Sequence, residues 1–211
     1  MAHRQFLCWL GLSMSVLLAP AARLAAQQPV RVLVQTEMGN IELEVDAARA
    51  PSTATNFLKY VDGGFYDGGR VHRSARLETQ AARPVKIEVI QGGVASEHEK
   101  DDFPAIAIER TRDTGLRHRD GTLSMARDGP NTATSDIFIC IGDQPELDFG
   151  GKRNPDGQGF AAFGRVVKGM DVVRKIQAAP AEGQKLTPPV RILRASYARR
   201  LADQDATSKR P

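Results

Sequence analysis

The chain has 211 residues, 41% of them hydrophobic and 26% charged, with 29 Lys+Arg against 25 Asp+Glu. That length supports one domain with a sizeable core, and the composition is neither disordered nor collagen-like. The formal charge of +4 is thin and scattered, with no Lys/Arg stripe of the kind a nucleic-acid surface needs.

Residues 1–26 read as a secretory signal. Arg4 gives a short positive start, Phe6 to Leu18 form an almost uncharged run of 13 residues, and Ala19-Pro20-Ala21 and Leu24-Ala25-Ala26 suit a signal peptidase. The run is shorter than the roughly 18–20 residues of a membrane span, so an uncleaved anchor is the less favoured alternative. The expectation is export, to the periplasm or the medium, with no membrane association after cleavage. Cutting after Ala26 removes Arg4 and Arg23 and no acid, so 27 Lys+Arg face 25 Asp+Glu and the charge falls to +2. Trp9 and Cys8 leave with the signal. Cys140 is then alone, so the domain depends on its core rather than on a disulfide. Its apolar setting, Ile137 to Ile141, marks a buried structural thiol rather than a nucleophile.

Val32 to Val45 alternates in hydrophobicity around Gly39-Asn40 and predicts a hairpin. Pro51 opens a helical pattern in which Ala54, Phe57, Leu58 and Val61 share a face, and Gly63-Gly64 stop it. Short strands are predicted at Val85–Ile90, Ile106–Ile108, Thr122–Met125, Ile137–Ile141 and Phe160–Val167. Met170 to Ala178 is a second amphipathic helix with Val172, Val173 and Ile176 as its stripe, and Val190 to Leu193 is a last strand. Beyond about Tyr197 the chain turns polar, and residues 198–211 are expected to fray. Six to eight short strands with two lone helices predict a mainly β fold: a closed antiparallel barrel capped by the helices.

Several motifs fail on context. Gly157-Gln158-Gly159-Phe160-Ala161-Ala162 matches a dinucleotide fingerprint, but it follows a turn-rich stretch and precedes a strand pattern, so a turn is the better reading. Glu97-His98-Glu99 with Asp101 and Asp102 could ligate a metal, yet neighbouring side chains there point apart and a solvated charge run is favoured. No Ser/His/Asp or Cys/His constellation stands out, and no metal site or cofactor is expected.

A longer string of motifs is more informative. Phe65-Tyr66-Asp67-Gly68-Gly69-Arg70-Val71-His72-Arg73 leads into a strand, and Val89-Ile90-Gln91-Gly92-Gly93 ends the next. Ser124-Met125-Ala126-Arg127-Asp128-Gly129-Pro130-Asn131-Thr132 runs on to Ser135-Asp136-Ile137-Phe138-Ile139, followed by Leu147-Asp148 and Phe163-Gly164-Arg165-Val166. Together, from about Val32 to Leu193, these resemble the cyclophilin family of peptidyl-prolyl cis/trans isomerases. The resemblance implies an eight-stranded barrel with two capping helices, spanning residues 27–197. It also implies rotation of X–Pro bonds in proline-containing polypeptides by an enzyme that needs no nucleophile, metal or cofactor. It assigns Arg73 as the catalytic Arg and Gln91 as its hydrogen-bonding Gln. Phe138 and Leu147 match the proline pocket, which Val89 and Phe160 also line. Ala126 and Arg127 match the stretch whose backbone pairs with substrate, Arg127 standing where an Asn is usual. His72 reads as structural, because strand alternation sends it away from Arg73.

The departures from the family pattern are specific. Glu88-Val89 stands where a Phe-Met pair is usual, which predicts a smaller or more polar pocket. Asp136 replaces a Gln, Phe160 replaces a common pocket His, and Glu146 replaces the Trp that contacts cyclosporin in many members. Residues 74–85 are an insertion after the catalytic Arg. The reading is an exported isomerase acting as a monomer; the alternative is a proline-peptide binding module on the same barrel without turnover.

Overall fold

A computed structural model describes residues 29–98 and 101–198. The signal expectation for residues 1–26 and the tail beyond residue 198 therefore fall outside the described residues. The strands are β1 (Val30–Thr36), β2 (Gly39–Val45), β3 (Arg70–Ala75), β4 (Val89–Gly93), β5 (Thr122–Met125), β6 (Ile137–Cys140), β7 (Ala162–Lys168), β8 (Ala181–Glu182) and β9 (Lys185–Tyr197). They pair antiparallel in the order β1-β2-β7-β5-β6-β4-β3-β9-β8, and β1 also pairs with β9. The two-residue β8 hangs on β9 outside that ring. What closes is an eight-stranded antiparallel barrel, which leaves no long edge unpaired.

Helix α1 (Pro51–Asp62) starts with Pro at its first position, where the missing N–H costs nothing, and the Glu109 carboxylate accepts from the Ser52 and Thr53 amides at 3.1 and 2.8 Å. It buries Ala54, Phe57, Tyr60 and Val61 against the barrel; Leu58, placed on that face by spacing, is only half-buried. A four-residue helix, α2 (Thr111–Thr114), was not anticipated. Helix α3 (Met170–Gln177) buries Val173 and Ile176, while Val172 is half-buried above the Gly39 turn.

Three strand predictions need correction. Val85–Ile90 is displaced: the ladder runs from Val89 to Gly93. Before it, side chains take over the backbone bonding, with the buried Gln80 amide donating to the Ile87 carbonyl at 2.7 Å and Arg153 donating to the Val85 carbonyl at 2.6 Å. Alternation alone cannot distinguish a ladder from a segment satisfied in that way. Ile106–Ile108 contributes only one isolated bridge, Ile106 to Ala133. The last strand is longer than Val190–Leu193, because Pro188 and Pro189 hide its first half from a propensity reading.

Strand alternation sorts the buried side chains into two clusters. Leu43, Leu123, Ile139 and Phe163 belong to the main core with Phe57 of α1. The opposite faces of β4 and β6 carry a second, smaller cluster of Ala75, Ile87, Val89, Phe138, Cys140 and Leu147, with Ala126 and Phe160 packed against it. Ile90 and Ile139 thus join one cluster while Val89, Phe138 and Cys140, one residue away, join the other, as a period of two requires. Cys140 is wholly buried there, and burial pushes its thiol pKa far up, which leaves it unreactive.

Candidate active site

The second cluster floors a groove of about 970 Å³ whose lining includes all eight residues singled out from the sequence: Arg73, Gln91, Val89, Ala126, Arg127, Phe138, Leu147 and Phe160. Phe138 and Phe160 meet edge to face with ring centroids 5.3 Å apart, which shapes an apolar notch. Glu88 does not make this notch polar. Its carboxylate turns to Gln177 of α3 at 3.2 Å, and Ile87, on the same face as Val89, supplies the wall.

Arg73 stands beside the notch on β3, held from two sides. Its Nη1 donates to Gln91 Oε1 at 2.8 Å, while Nε and Nη2 both donate to Gln184 Oε1 at 3.0 and 2.7 Å. A guanidinium carries five N–H donors, so two remain for a bound chain. Burial first, then the nearby Arg83 charge, lowers its pKa, but an Arg remains charged at neutral pH. Gln91 is oriented in turn: its Nε2 donates to Asp136 Oδ2 at 2.8 Å, which leaves Oε1 facing Arg73. The Asp136 carboxylate packs so close to Gly93 that any Cβ there would collide with it.

His72 departs from its expected placement. The β3 register against β4 runs Val71 to Gly92 and then Arg73 to Gln91, so His72 is the extra residue of a bulge. It therefore lines the groove with Arg73 and donates through Nε2 to Asp136 Oδ2 at 3.1 Å. A bulge is invisible to any period-two argument. Gln184 was also missed: it lies in the turn between β8 and β9, 111 residues from its partner. Gln184→Ala removes two of the three bonds on Arg73 and leaves it free to swing. We expect kcat/KM for an X–Pro peptide to fall about tenfold, roughly the value of one charge-assisted hydrogen bond in steady-state kinetics.

The Arg127 side chain is only 1% exposed and is committed to structure. It grips the Asp156 carboxylate with both terminal nitrogens at 2.8 and 2.9 Å, donates to the Gly159 carbonyl, and lies 5.1 Å over the Phe160 ring. That pairing holds the Asp156 carboxyl below its ordinary pKa. Arg127 thus fixes the loop that presents Phe160. The Ala126 amide is already taken by the Asp136 carbonyl at 2.9 Å, so it is not available to pair with a bound chain.

A Ser/His/Asp set, not seen in the sequence, lies beneath the groove floor. His118 Nδ1 donates to Asp148 Oδ1 at 2.8 Å and Nε2 pairs with Ser124 Oγ at 3.0 Å. The connectivity is that of a nucleophilic triad, but Ser124 is fully buried and none of the three lines the groove. The His118 ring instead stacks on Phe138, tilted by 14° with centroids 6.0 Å apart, and props the notch from below.

The remaining sequence motifs disperse. His98 packs on Phe65 and approaches Asp101 at 3.5 Å, while Asp102 accepts from Tyr60; among the described residues no cluster of three His, Cys, Asp or Glu could hold a metal. Gly157 and Gly159 form turns with positive φ ahead of β7. Among the described residues no helix is long and apolar enough to cross a membrane.

Known proteins resemble this chain in sequence and in fold. Residues 31–197 match the family model described as cyclophilin type peptidyl-prolyl cis-trans isomerase/CLD. Peptidyl-prolyl cis-trans isomerase A of Dickeya dadantii is 38% identical over 159 residues, covering 75% of this chain and 76% of that one. Peptidyl-prolyl cis-trans isomerase B of Escherichia coli is 35% identical over 147 residues, covering 69% and 83%. A solved cyclophilin type isomerase of Cryptosporidium parvum superposes with a TM-score of 0.64 at 22% identity, covering 80% of this chain and 97% of that one, and shows the same barrel. With 167 consecutive residues, 31 to 197, matching the family model, this chain belongs to the cyclophilin-type peptidyl-prolyl cis-trans isomerases.

Proposed function

We propose that this isomerase works through Arg73, which stabilises the twisted X–Pro amide while the notch of Val89, Phe138, Leu147 and Phe160 holds the proline ring. The barrier, about 18–20 kcal/mol, comes from amide resonance, and uncatalysed exchange takes tens to hundreds of seconds. Twisting the bond pyramidalises the nitrogen and frees its lone pair. A donor already fixed in place can bond that lone pair in the transition state and not in the planar ground state, which is the differential binding catalysis needs. No bond to the substrate forms, so nothing in the groove has to act as a nucleophile. The carrying observation is the apolar cluster outside the main core that ends at a guanidinium with two spare donors. The signal-like composition of residues 1–26 supports extracytoplasmic proline-containing polypeptides as the substrates.

The test is an isomerisation assay of the purified chain on an Ala-Pro peptide. Acceleration well above background supports the reading; binding of Pro peptides without acceleration would make the chain a binding module. Glu146 adds a second expectation. It does not line the groove, and its carboxylate accepts the Lys152 amide at 2.7 Å. Where the family resemblance expects a Trp against cyclosporin, this chain offers a committed carboxylate. Inhibition by cyclosporin should be micromolar or weaker, and a nanomolar inhibition constant would overturn that.

A further inference from the structure

The groove beside Arg73 carries charge that isomerisation itself does not use. Arg83, on the connection from β3 to β4, and Arg153, on the loop from Phe149 to Gly159, both line it. Arg153 ties the two segments together, donating to Gln80 Oε1 at 3.0 Å and to the Val85 carbonyl at 2.6 Å. Its position is therefore fixed by neutral partners. Arg83 is exposed, and among the described residues no carboxylate pairs with Arg83, Arg153 or Arg73. The three lie close enough to act on one another: burial first, then Arg83, then Arg73 lowers the pKa of Arg153. The groove also holds carboxylates, but each lies away from these three guanidinium groups: Asp136 accepts from Gln91 and His72, Asp102 accepts from Tyr60, and Asp128 stands on the connection from β5 to β6. Three guanidinium groups without a carboxylate in contact repel each other and focus a positive potential on the part of the groove they share.

A chain lying with its proline in the notch and its amide at Arg73 passes its neighbouring side chains along Arg83 and Arg153. We propose that this isomerase prefers X–Pro segments with an acidic side chain within two residues of the proline, read by Arg83 and Arg153. The preference rests on the reading of this groove as the isomerisation site and adds a substrate class to it.

The experiment measures exchange by NMR on X–Pro peptides carrying Glu, Gln or Lys in turn at each of the two positions before and the two positions after the proline, with Ala elsewhere. At one position or more, the Glu peptide should exceed the Gln peptide in kcat/KM by about fivefold at low ionic strength, with Lys below Gln. That ratio should shrink at about 0.5 M salt, as the Debye length shortens, and should fall towards one in Arg83→Gln whatever that variant's absolute rate. Equal rates for Glu and Gln at every position would overturn the proposal, as would a ratio that Arg83→Gln leaves unchanged. No acceleration of any peptide by the wild type would instead overturn the isomerisation reading beneath it, and the preference with it.

Discussion

Replacing Arg73 by Ala is expected to lower kcat/KM for an Ala-Pro peptide by about 10²–10³-fold, the usual loss when one preorganised donor to a developing charge is removed. The effect should fall on kcat more than on KM. On the proposed reading the proline ring would be held by Val89, Phe138, Leu147 and Phe160, which the substitution leaves in place, whereas the bond to the pyramidal nitrogen would exist only in the twisted state. The fold should survive, because the partners lost are the neutral side chains of Gln91 and Gln184 and no buried carboxylate is left unpaired. Arg73→Lys should recover little. An ammonium is a point charge without the planar fork that reaches Gln91 and Gln184 together while presenting two more donors. An Arg73→Ala protein that turns over the peptide at near wild-type rate with a raised KM would mean that Arg73 grips the chain rather than catalysing rotation.

The residues that line the groove were legible because the proposed chemistry constrains their type: a fixed donor, a Gln to orient it, and an apolar wall at alternate strand positions. Arg73, Gln91, Val89 and Phe138 stand on the predicted strands or their neighbours, so the period of two placed them. What positions them was not legible. Gln184 reaches Arg73 across 111 residues, and His118 reaches Asp148 across 30, by contacts that the pairing of β3 with β9 and of β5 with β6 creates. The bulge at His72 and the side-chain bonding of residues 85–88 likewise follow from the ladder register and from Arg153 and Gln80, which local propensity does not encode. Arg127 shows the limit of carrying a role by motif. Its backbone keeps the place of a substrate-pairing residue while its side chain has become the clamp on Asp156. Arg83, in the stretch read as an insertion, and Arg153, on the loop from Phe149 to Gly159, line a part of the groove outside the quoted motifs.

The largest expected effect on stability is at Asp148, a residue that touches no substrate. It is 8% exposed and accepts from the His118 backbone amide at 3.2 Å and from Nδ1 at 2.8 Å. Asp148→Ala leaves both donors of a fully enclosed His118 without a partner, at a cost of about 2–4 kcal/mol. For a domain of this size that is a fall in Tm of about 5–15 °C, readable by calorimetry. Asp148→Asn keeps an acceptor for Nδ1 and should lose less than half as much. Burial raises the Asp148 pKa, but the His118 hydrogen bond and charge and the Arg117 charge outweigh it, so the folded carboxyl titrates below its ordinary 3.8. A depressed carboxyl stabilises the fold above its unfolded pKa and loses that contribution as pH falls through the folded value. The Tm gap between wild type and Asp148→Ala should therefore narrow as pH falls below about 4. The comparison separates Asp148 from the other depressed carboxyls, since Glu42, Asp46 and Asp156, also held low by their Arg and Lys neighbours, titrate in both proteins. Because the His118 ring stacks on Phe138, freeing it also loosens the proline notch. At a temperature where Asp148→Ala remains folded, KM should rise several-fold while kcat changes less, the reverse of the Arg73→Ala signature. A KM equal to that of wild type would show that the buried network supports the fold without shaping the pocket above it.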